Sequence, residues 1–162
     1  MLPRDFDRIA RASFSHVLAP HGFSCEASAR CTFYRKVSEE AWHFIFPDMR
    51  FHKPVYEVRV FFSSPAIDPE FSQKFPDDLG IPLDTHSVLR IKHGVSHTPS
   101  VFSCATKQAF MTAFEKAVES ALLMEAIPFL DRIRSVSDML PYIRHPYFAE
   151  NARVYLGAGS KQ

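Results

Sequence analysis

The sequence lacks both a long apolar run and an excess of one charge. No segment reaches the roughly 18 consecutive apolar residues that a membrane-spanning helix needs. Lysine and arginine number 19 against 18 aspartates and glutamates, so the formal net charge is only +1. Such a balance creates no broad field for a nucleic acid or an anionic lipid surface. We therefore expect neither a membrane nor a nucleic acid as partner.

Cysteine is scarce as well. Cys25, Cys31 and Cys104 match no disulfide framework in number or spacing. If residues 28–30 form a turn, Cys25 opposes Phe33, and the sulfurs of Cys25 and Cys31 lie out of register. The N-terminal residues contain no apolar run of signal-peptide length. These features predict reduced thiols and a cytoplasmic location. Cys104 precedes a predicted helix whose dipole could activate it, but a buried, inert thiol is the preferred interpretation.

The motifs of phosphate binding, ester hydrolysis and zinc ligation are missing. The five glycines form no GxGxxG or Walker pattern, and neither GxSxG nor HExxH occurs. His93 and His97 are four residues apart, but Gly94 and Pro99 predict a loop there. His21, Cys25 and Cys31 lack the spacing of a zinc site. The sequence predicts no cofactor and no metal.

Aromatic residues are abundant, at 14% of the chain with 16 phenylalanines. Helical spacing of apolar residues predicts a first helix over residues 4–19, stopped by Pro20 and Gly22. Thr106 is a predicted N-cap of a later helix that Pro128 bends or restarts. Ser137 is predicted to open a short helical turn. Strands are predicted at residues 23–27, 31–37, 42–47, 55–62, 88–92 and 101–104.

The order of these elements predicts an α+β fold. We expect an N-terminal helix, a mainly antiparallel sheet of about five strands and C-terminal helices packed on one face. A length of 162 residues fits one domain over residues 1–162. A proline-rich irregular connection is predicted at residues 63–87.

The strand at residues 55–62 has the clearest pattern. Glu57 and Arg59 alternate with apolar residues, which is typical of a sheet with one solvated face. Phe61 falls on the polar side of this alternation, so we expect it to be an exposed aromatic.

Two later helices are also predicted from spacing. The last one covers residues 147–156, with Gly157 beyond its end. The helix that begins near Thr106 has its predicted core stripe at Phe110, Phe114, Ala117, Val118, Ala121 and Met124.

Three short blocks resemble a known family. A first helix ending in Gly22-Phe23, a hairpin with TFYR (Thr32–Arg35) and a late PFLDRIRSVSDML (Pro128–Leu140) are similar to a family of small bacterial proteins. It is the domain of unknown function number four-three-zero-four. The resemblance implies a cytosolic α+β domain without established catalytic residues. By analogy of architecture, such domains serve as immunity proteins or accessory binding modules.

One pattern indicates catalysis. Pro47-Asp48 followed by Glu57-Val58-Arg59 resembles a nuclease signature in which two carboxylates hold a divalent cation. Arginine stands where that signature has lysine, and a guanidinium is poorly suited to handling a proton on water. A metal-dependent hydrolase centred on Asp48 and Glu57, with Arg59, is therefore the alternative hypothesis.

The first hypothesis is a non-catalytic, cytosolic protein-binding domain, of immunity or accessory type, or a homodimer. Tyrosine and tryptophan favour interfaces because they combine contact area with a polar tip. A third hypothesis places a small molecule under the connection at residues 63–87. The predicted binding residues are Trp42, Phe61, Tyr142 and Tyr147.

Overall fold

A single antiparallel sheet packs one face against a layer of helices, as the α+β prediction required. The computed structural model describes residues 1–26, 31–50, 52–70, 101–143 and 145–159. The predicted strand at 88–92, the turn at 28–30, the His93–His97 pair and most of the connection at 63–87 lie outside the described residues.

Helix α1 covers Pro3–Leu18 and confirms the first predicted helix. Proline in its first turn fits a position where the backbone N–H has no helical partner. The chain then tightens into a 3-10 turn at Ala19–His21 and leaves through Gly22, whose φ of 82° favours glycine. The buried face of α1 consists of Phe6, Ala10, Phe14, Val17 and Leu18.

The sheet contains five strands over the described residues, and every neighbouring pair is antiparallel. Their spatial order follows their order in the sequence. The first, second and last strands are shorter than predicted, and the third and fourth are longer. The strands are β1 (Ser24–Cys25), β2 (Phe33–Lys36), β3 (Trp42–Met49), β4 (Val55–Ser63) and β5 (Phe102–Ser103).

Aromatic rings join the helix-facing side of the sheet, which we call the inner face, to the helices. Tyr56 of β4 lies 5.3 Å from the ring of Phe6 and 5.1 Å from the ring of Phe110, measured between centroids. Phe14 lies 5.1 Å from Phe114 in the same way. The abundance of phenylalanine is thus largely accounted for by this core.

A long helical run follows β5 and contains two π turns. Its segments are α2 (Lys107–Ala113), a π turn (Phe114–Val118), α3 (Glu119–Ala121), a second π turn (Leu122–Ala126) and α4 (Ile127–Asp131). Thr106 is its N-cap as predicted, because its hydroxyl oxygen accepts from the backbone N–H of Ala109 at 3.1 Å.

The π turns correct one prediction about the core. Met124 was expected in the buried stripe, but it is 72% exposed. Each π turn inserts a residue relative to α-helical spacing and rotates the residues that follow. Leu122 and Ala126 are buried instead. Pro128 lies in the first turn of α4, where its missing N–H costs least, so the helix restarts there as predicted.

The C-terminal elements begin at a capping box. The hydroxyl of Ser135 accepts from the N–H of Asp138, and the Asp138 carboxylate accepts from the N–H of Ser135 at 3.0 Å. Hydrogen bonds from Arg134 and Ser135 lower the pKa of Asp138. This cap starts α5 (Val136–Met139), two residues before the predicted opening at Ser137.

The last helix, α6, covers Pro146–Gly159 and is longer than predicted. Gly157 was expected beyond its end, but it lies within the helix. A glycine inside a helix costs only about 1 kcal/mol relative to alanine, which is too little to stop the helix by itself.

The turn between β2 and β3 anchors these C-terminal helices. The Glu40 carboxylate accepts from the backbone N–H of Val136 at 2.8 Å and from the Tyr155 hydroxyl at 2.9 Å. Ser38 donates its hydroxyl to the carbonyl oxygen of Arg134 at 2.6 Å. One turn thus holds both α5 and α6 against the sheet.

None of the helices within the described ranges is both long enough and apolar enough to cross a membrane.

Phe114→Ala should lower the free energy of unfolding by roughly 3–5 kcal/mol, because it removes a buried ring and leaves a cavity beside Phe14. Urea denaturation measures the change. Met124→Ala is the matched control on the same helical run, and we expect it to stay within about 0.5 kcal/mol of the wild type. Equal losses in the two variants would contradict the π-shifted core.

Candidate functional site

The structure brings five of the seven predicted site residues onto the side of the sheet opposite the helices, which we call the outer face. Pairing of β3 with β4 places Asp48 opposite Glu57, and Arg59 opposite Phe46. The next two rows pair Phe44 with Phe61 and Trp42 with Ser63. Successive rows on one side of a sheet are neighbours, so the charged and aromatic candidates form one continuous strip.

The charged end of this strip is an ion-pair cluster. The Arg59 guanidinium contacts Asp48 at 2.9 Å and Glu57 at 2.8 Å through the same nitrogen, and Arg50 contacts Glu57 at 3.3 Å. The side chain of Glu57 is only 4% exposed, although a solvated position was predicted for it. Alternation correctly assigned Glu57 to the outer face, but it did not predict that the side chain is buried. A buried carboxylate is tolerated here because the two arginines compensate its charge.

This geometry argues against the hydrolase alternative. Asp48 and Glu57 are close enough to share one cation, but the guanidinium of Arg59 lies between them as that cation. Arginine stays protonated, so it cannot accept a proton from an attacking water. Among the described residues, no group of three or more histidine, cysteine or carboxylate side chains has an arrangement that could hold a metal ion.

The aromatic end of the strip forms a second, smaller cluster. The rings of Phe44 and Phe61 stack with centroids 5.0 Å apart, and Tyr34, Trp42 and Phe46 pack around them. The expectation of an exposed Phe61 is wrong, since only 6% of the residue is exposed. Trp42 is half-buried and lies 6.3 Å from the Tyr34 ring. Binding roles for Trp42 and Phe61 stay predictions.

The remaining predicted binding residues lie near the C-terminus and differ from each other. Tyr142 is half-buried, with its ring edge against Phe129 at 5.2 Å. Tyr147 is 54% exposed on α6. Val154, seven residues later on the same helix, is 62% exposed. Sequence reasoning missed Val154, although its spacing from Tyr147 was a signal that could have revealed it.

Arg35 connects the two sequence blocks that carry the family resemblance. Its guanidinium contacts the Asp131 carboxylate at 2.5 Å and donates to the carbonyl oxygen of His21 at 2.9 Å. It also donates to Nδ1 of His43 at 3.1 Å and lies 4.5 Å above the centre of the Phe23 ring. TFYR and PFLDRIRSVSDML therefore meet in space through one side chain.

His43 is fully buried beside Arg35. Its Nε2–H donates to the carbonyl oxygen of Ile133 at 2.6 Å, while Nδ1 accepts from Arg35. Burial is the main reason that its pKa falls to about 4; the charges of Arg35 and Arg134 lower it too, and the Ile133 hydrogen bond and Asp131 oppose the shift. The imidazole is neutral at physiological pH.

The three thiols are free, as predicted. Cys25 opposes Phe33 as expected, so Cys31 is out of register with it and lies at the diagonal position. Cys104 is buried, and that burial raises the pKa of its thiol. This agrees with the inert interpretation of Cys104.

Comparisons with protein-family models, curated proteins and solved structures find no match to this chain. The family resemblance therefore stays a prediction.

Arg59→Ala should cost about 2–3 kcal/mol of unfolding free energy, because it leaves Glu57 buried with Arg50 as its nearest cation. The value is below that of a fully buried pair since Arg59 is 35% exposed. Arg8→Ala is the control: it breaks the exposed pair with Asp5 and should cost less than about 1 kcal/mol. Chemical denaturation measures the unfolding free energy of both variants. Equally small losses in the two would contradict a stabilising role of the ion-pair cluster.

Lowering the pH from 7 to 5 should reduce the free energy of unfolding by about 2 kcal/mol through His43. The unfolded imidazole titrates near 6.5 and the folded one near 4, so only the unfolded chain gains the proton in this window. The contribution of His43 to the free energy of unfolding is therefore fully present above pH 6.5. It is lost as the pH falls from 6.5 towards 4. Urea titrations at each pH measure it.

His43→Gln keeps a donor for the Ile133 carbonyl but cannot take up a proton in this range. We expect the pH dependence to shrink in this variant and to persist in His16→Gln, which changes an exposed histidine on α1. Identical slopes in wild type and His43→Gln would contradict the buried neutral imidazole.

Proposed function

We propose that this chain is a non-catalytic, cytosolic protein-binding domain, of the immunity or accessory type in bacteria. The observation that carries the proposal is the outward face of α6, where Tyr147 and Val154 are more than half exposed. The bacterial immunity assignment follows only from the family resemblance and from analogy of architecture.

Helix α6 has apolar residues on two sides. Its inner side buries Phe148, Ala149 and Ala152, as expected for a helix that covers a core. The outer side of such a helix is ordinarily polar, but here Tyr147 and Val154 lie about two turns apart on it. This departure is what an interaction surface requires, because apolar and aromatic side chains supply most binding energy.

Polar residues surround this apolar pair. Glu150 lies between them along the helix and pairs with Arg153 at 3.5 Å, on an exposed surface. Tyr155 is 38% exposed and is held in place by its hydrogen bond to Glu40. A central aromatic with a polar rim is the usual composition of a protein interface. Because this hydrogen bond already restricts the Tyr155 side chain, less side-chain conformational entropy is lost when a partner binds there.

The outer face of the sheet offers less support for binding and little for catalysis. Its central rings, Phe44 and Phe61, are buried, and its carboxylates are paired with arginines of the same sheet. Neither group is presented to a partner in this arrangement. The hydrolase alternative therefore lacks a supporting observation, whereas α6 supports the binding domain.

Tyr147→Ala should weaken binding of the partner protein at least tenfold, because truncation of a central interface tyrosine typically costs more than 1 kcal/mol. The intact protein is used to capture its partner from a lysate of the source cells. Mass spectrometry identifies the partner, and biolayer interferometry then measures Kd for each variant. Sedimentation over a concentration series shows whether the partner is a second copy of the chain.

Met124→Ala is the control, since it removes an apolar side chain outside α6 that is even more exposed than Tyr147. Val154→Ala should weaken binding in the same direction as Tyr147→Ala. Capture of no stoichiometric partner by a folded, monomeric protein would contradict the binding domain. Equal weakening by Met124→Ala would contradict the location of the surface on α6.

A further inference from the structure

Two thiols meet where the first hairpin leaves the sheet. Cys25 ends β1, and Cys31 lies two residues before the start of β2 at Phe33. Because Cys25 opposes Phe33 in the ladder, Cys31 is its diagonal neighbour on the same side. The two thiols are close enough for each to shift the pKa of the other. Cys31 is fully buried, while Cys25 is only partly buried and therefore reachable from solvent.

A cation from α1 completes this cluster. Nη1 of Arg11 lies 2.8 Å from the Cys25 sulfur and also donates to the carbonyl oxygen of Glu26 at 2.5 Å. This second bond fixes the guanidinium against the hairpin, beside the sulfur. A guanidinium at contact distance stabilises a thiolate over a thiol.

The two sulfurs consequently differ in protonation. The Cys31 hydrogen bond, together with the charge of Arg11 and a hydrogen bond from Thr32, lowers the pKa of Cys25 to about 7 against the opposing effects of burial and of Glu26. The same hydrogen bond, burial and the Asp7 carboxylate raise the pKa of Cys31. Cys25 is therefore the more readily deprotonated of the two thiols, and a larger fraction of it is thiolate at neutral pH than of an ordinary thiol.

We propose that Cys25 and Cys31 form a hydroperoxide-reactive dithiol, in which Cys25 is the attacking thiolate and Cys31 the resolving thiol. The product is an intrachain disulfide between residues 25 and 31. This property is independent of the binding surface on α6.

The reaction takes place in two steps. The Cys25 thiolate attacks one oxygen of the hydroperoxide, the O–O bond breaks, and the departing oxygen takes a proton; with hydrogen peroxide the products are a sulfenic acid on Cys25 and water. Cys31 then attacks the Cys25 sulfur, the S–O bond breaks, and the hydroxide leaves with the Cys31 proton as a second water. Two thiols are oxidised by two electrons, and one peroxide is reduced.

The sequence itself provides a direct readout. Trypsin cleaves after Arg11, Arg30 and Arg35, so Cys25 and Cys31 fall on the separate peptides 12–30 and 31–35. We treat the intact wild-type protein with hydrogen peroxide, alkylate the remaining thiols and digest it without reductant. We expect the two peptides to be joined, with a mass two hydrogens below their sum, and Cys104 to remain alkylatable after unfolding.

Iodoacetamide labelling of the untreated protein tests the thiolate. The labelling rate of Cys25 should rise with pH around a midpoint near 7. Arg11→Gln should move this midpoint upward and slow labelling at pH 7 several-fold, while Arg8→Gln, one turn earlier on α1, should leave it unchanged. In Cys31→Ser, dimedone should trap a sulfenic acid on Cys25, whereas Cys104→Ser should still form the disulfide.

Circular dichroism confirms that each variant is folded before it is compared. The proposal is overturned if peroxide leaves peptides 12–30 and 31–35 unlinked, or if Cys25 labels with a midpoint of 8.5 or above. Joining of either peptide to Cys104, or a disulfide-linked dimer in place of the intrachain bond, would also overturn it. These outcomes are read from the wild-type chain and do not depend on the fold of a variant.

Discussion

The fold depends on the buried guanidinium of Arg35. Its side chain is only 11% exposed, so its charge needs partners inside the protein. The structure supplies four: the Asp131 carboxylate, the carbonyl oxygen of His21, an imidazole nitrogen of His43 and the face of the Phe23 ring. A buried cation of this kind tolerates the loss of any partner poorly. It therefore specifies how the hairpin, β3 and the end of α4 come together, which apolar contact alone would leave less defined.

The same principle organises the opposite side of the sheet. Arg59 and Arg50 compensate Asp48 and Glu57 within two neighbouring strands. Charges that are compensated inside the protein contribute to the arrangement of the strands and leave little field for a ligand. The exposed apolar residues on α6, Tyr147 and Val154, have no such compensation within the described surface. This contrast between paired charges and unpaired apolar side chains is why we place recognition on the helix rather than on the sheet.

Much of the fold could be predicted from the sequence, and the failures have physical causes. Alternation in β4 correctly separated Tyr56 from Glu57, because the period of a strand is geometric. It did not predict that Glu57 and Phe61 are buried. The two-residue period shows which face of the sheet a side chain lies on, but not which other residues cover that face. Helical spacing placed Phe114 in the core and failed at Met124, where the π turns change the period.

The site was harder to predict because its contacts are distant in sequence. No local pattern indicates that His43 is buried, since its partner is the carbonyl oxygen of residue 133. The thiols show the opposite case. Register correctly placed Cys25 opposite Phe33 and Cys31 at the diagonal position, but it did not predict that the two thiols shift each other's pKa. A binding role for Tyr147 was predicted from residue type, and a search for apolar residues at helical spacing from it would also have found Val154.

The position of Arg35 has a consequence for synthesis of the chain. Asp131, its carboxylate partner, follows 96 residues later. At ribosomal rates of about 5–20 residues per second, the hairpin waits roughly 5–20 s before that carboxylate is made. During this time no C-terminal helix covers the Arg35 guanidinium or the apolar inner face of the newly synthesised strands. The nascent chain is therefore exposed to chaperones and to aggregation until the segment around Asp131 has been made, and the contacts of Arg35 form late relative to those within the hairpin.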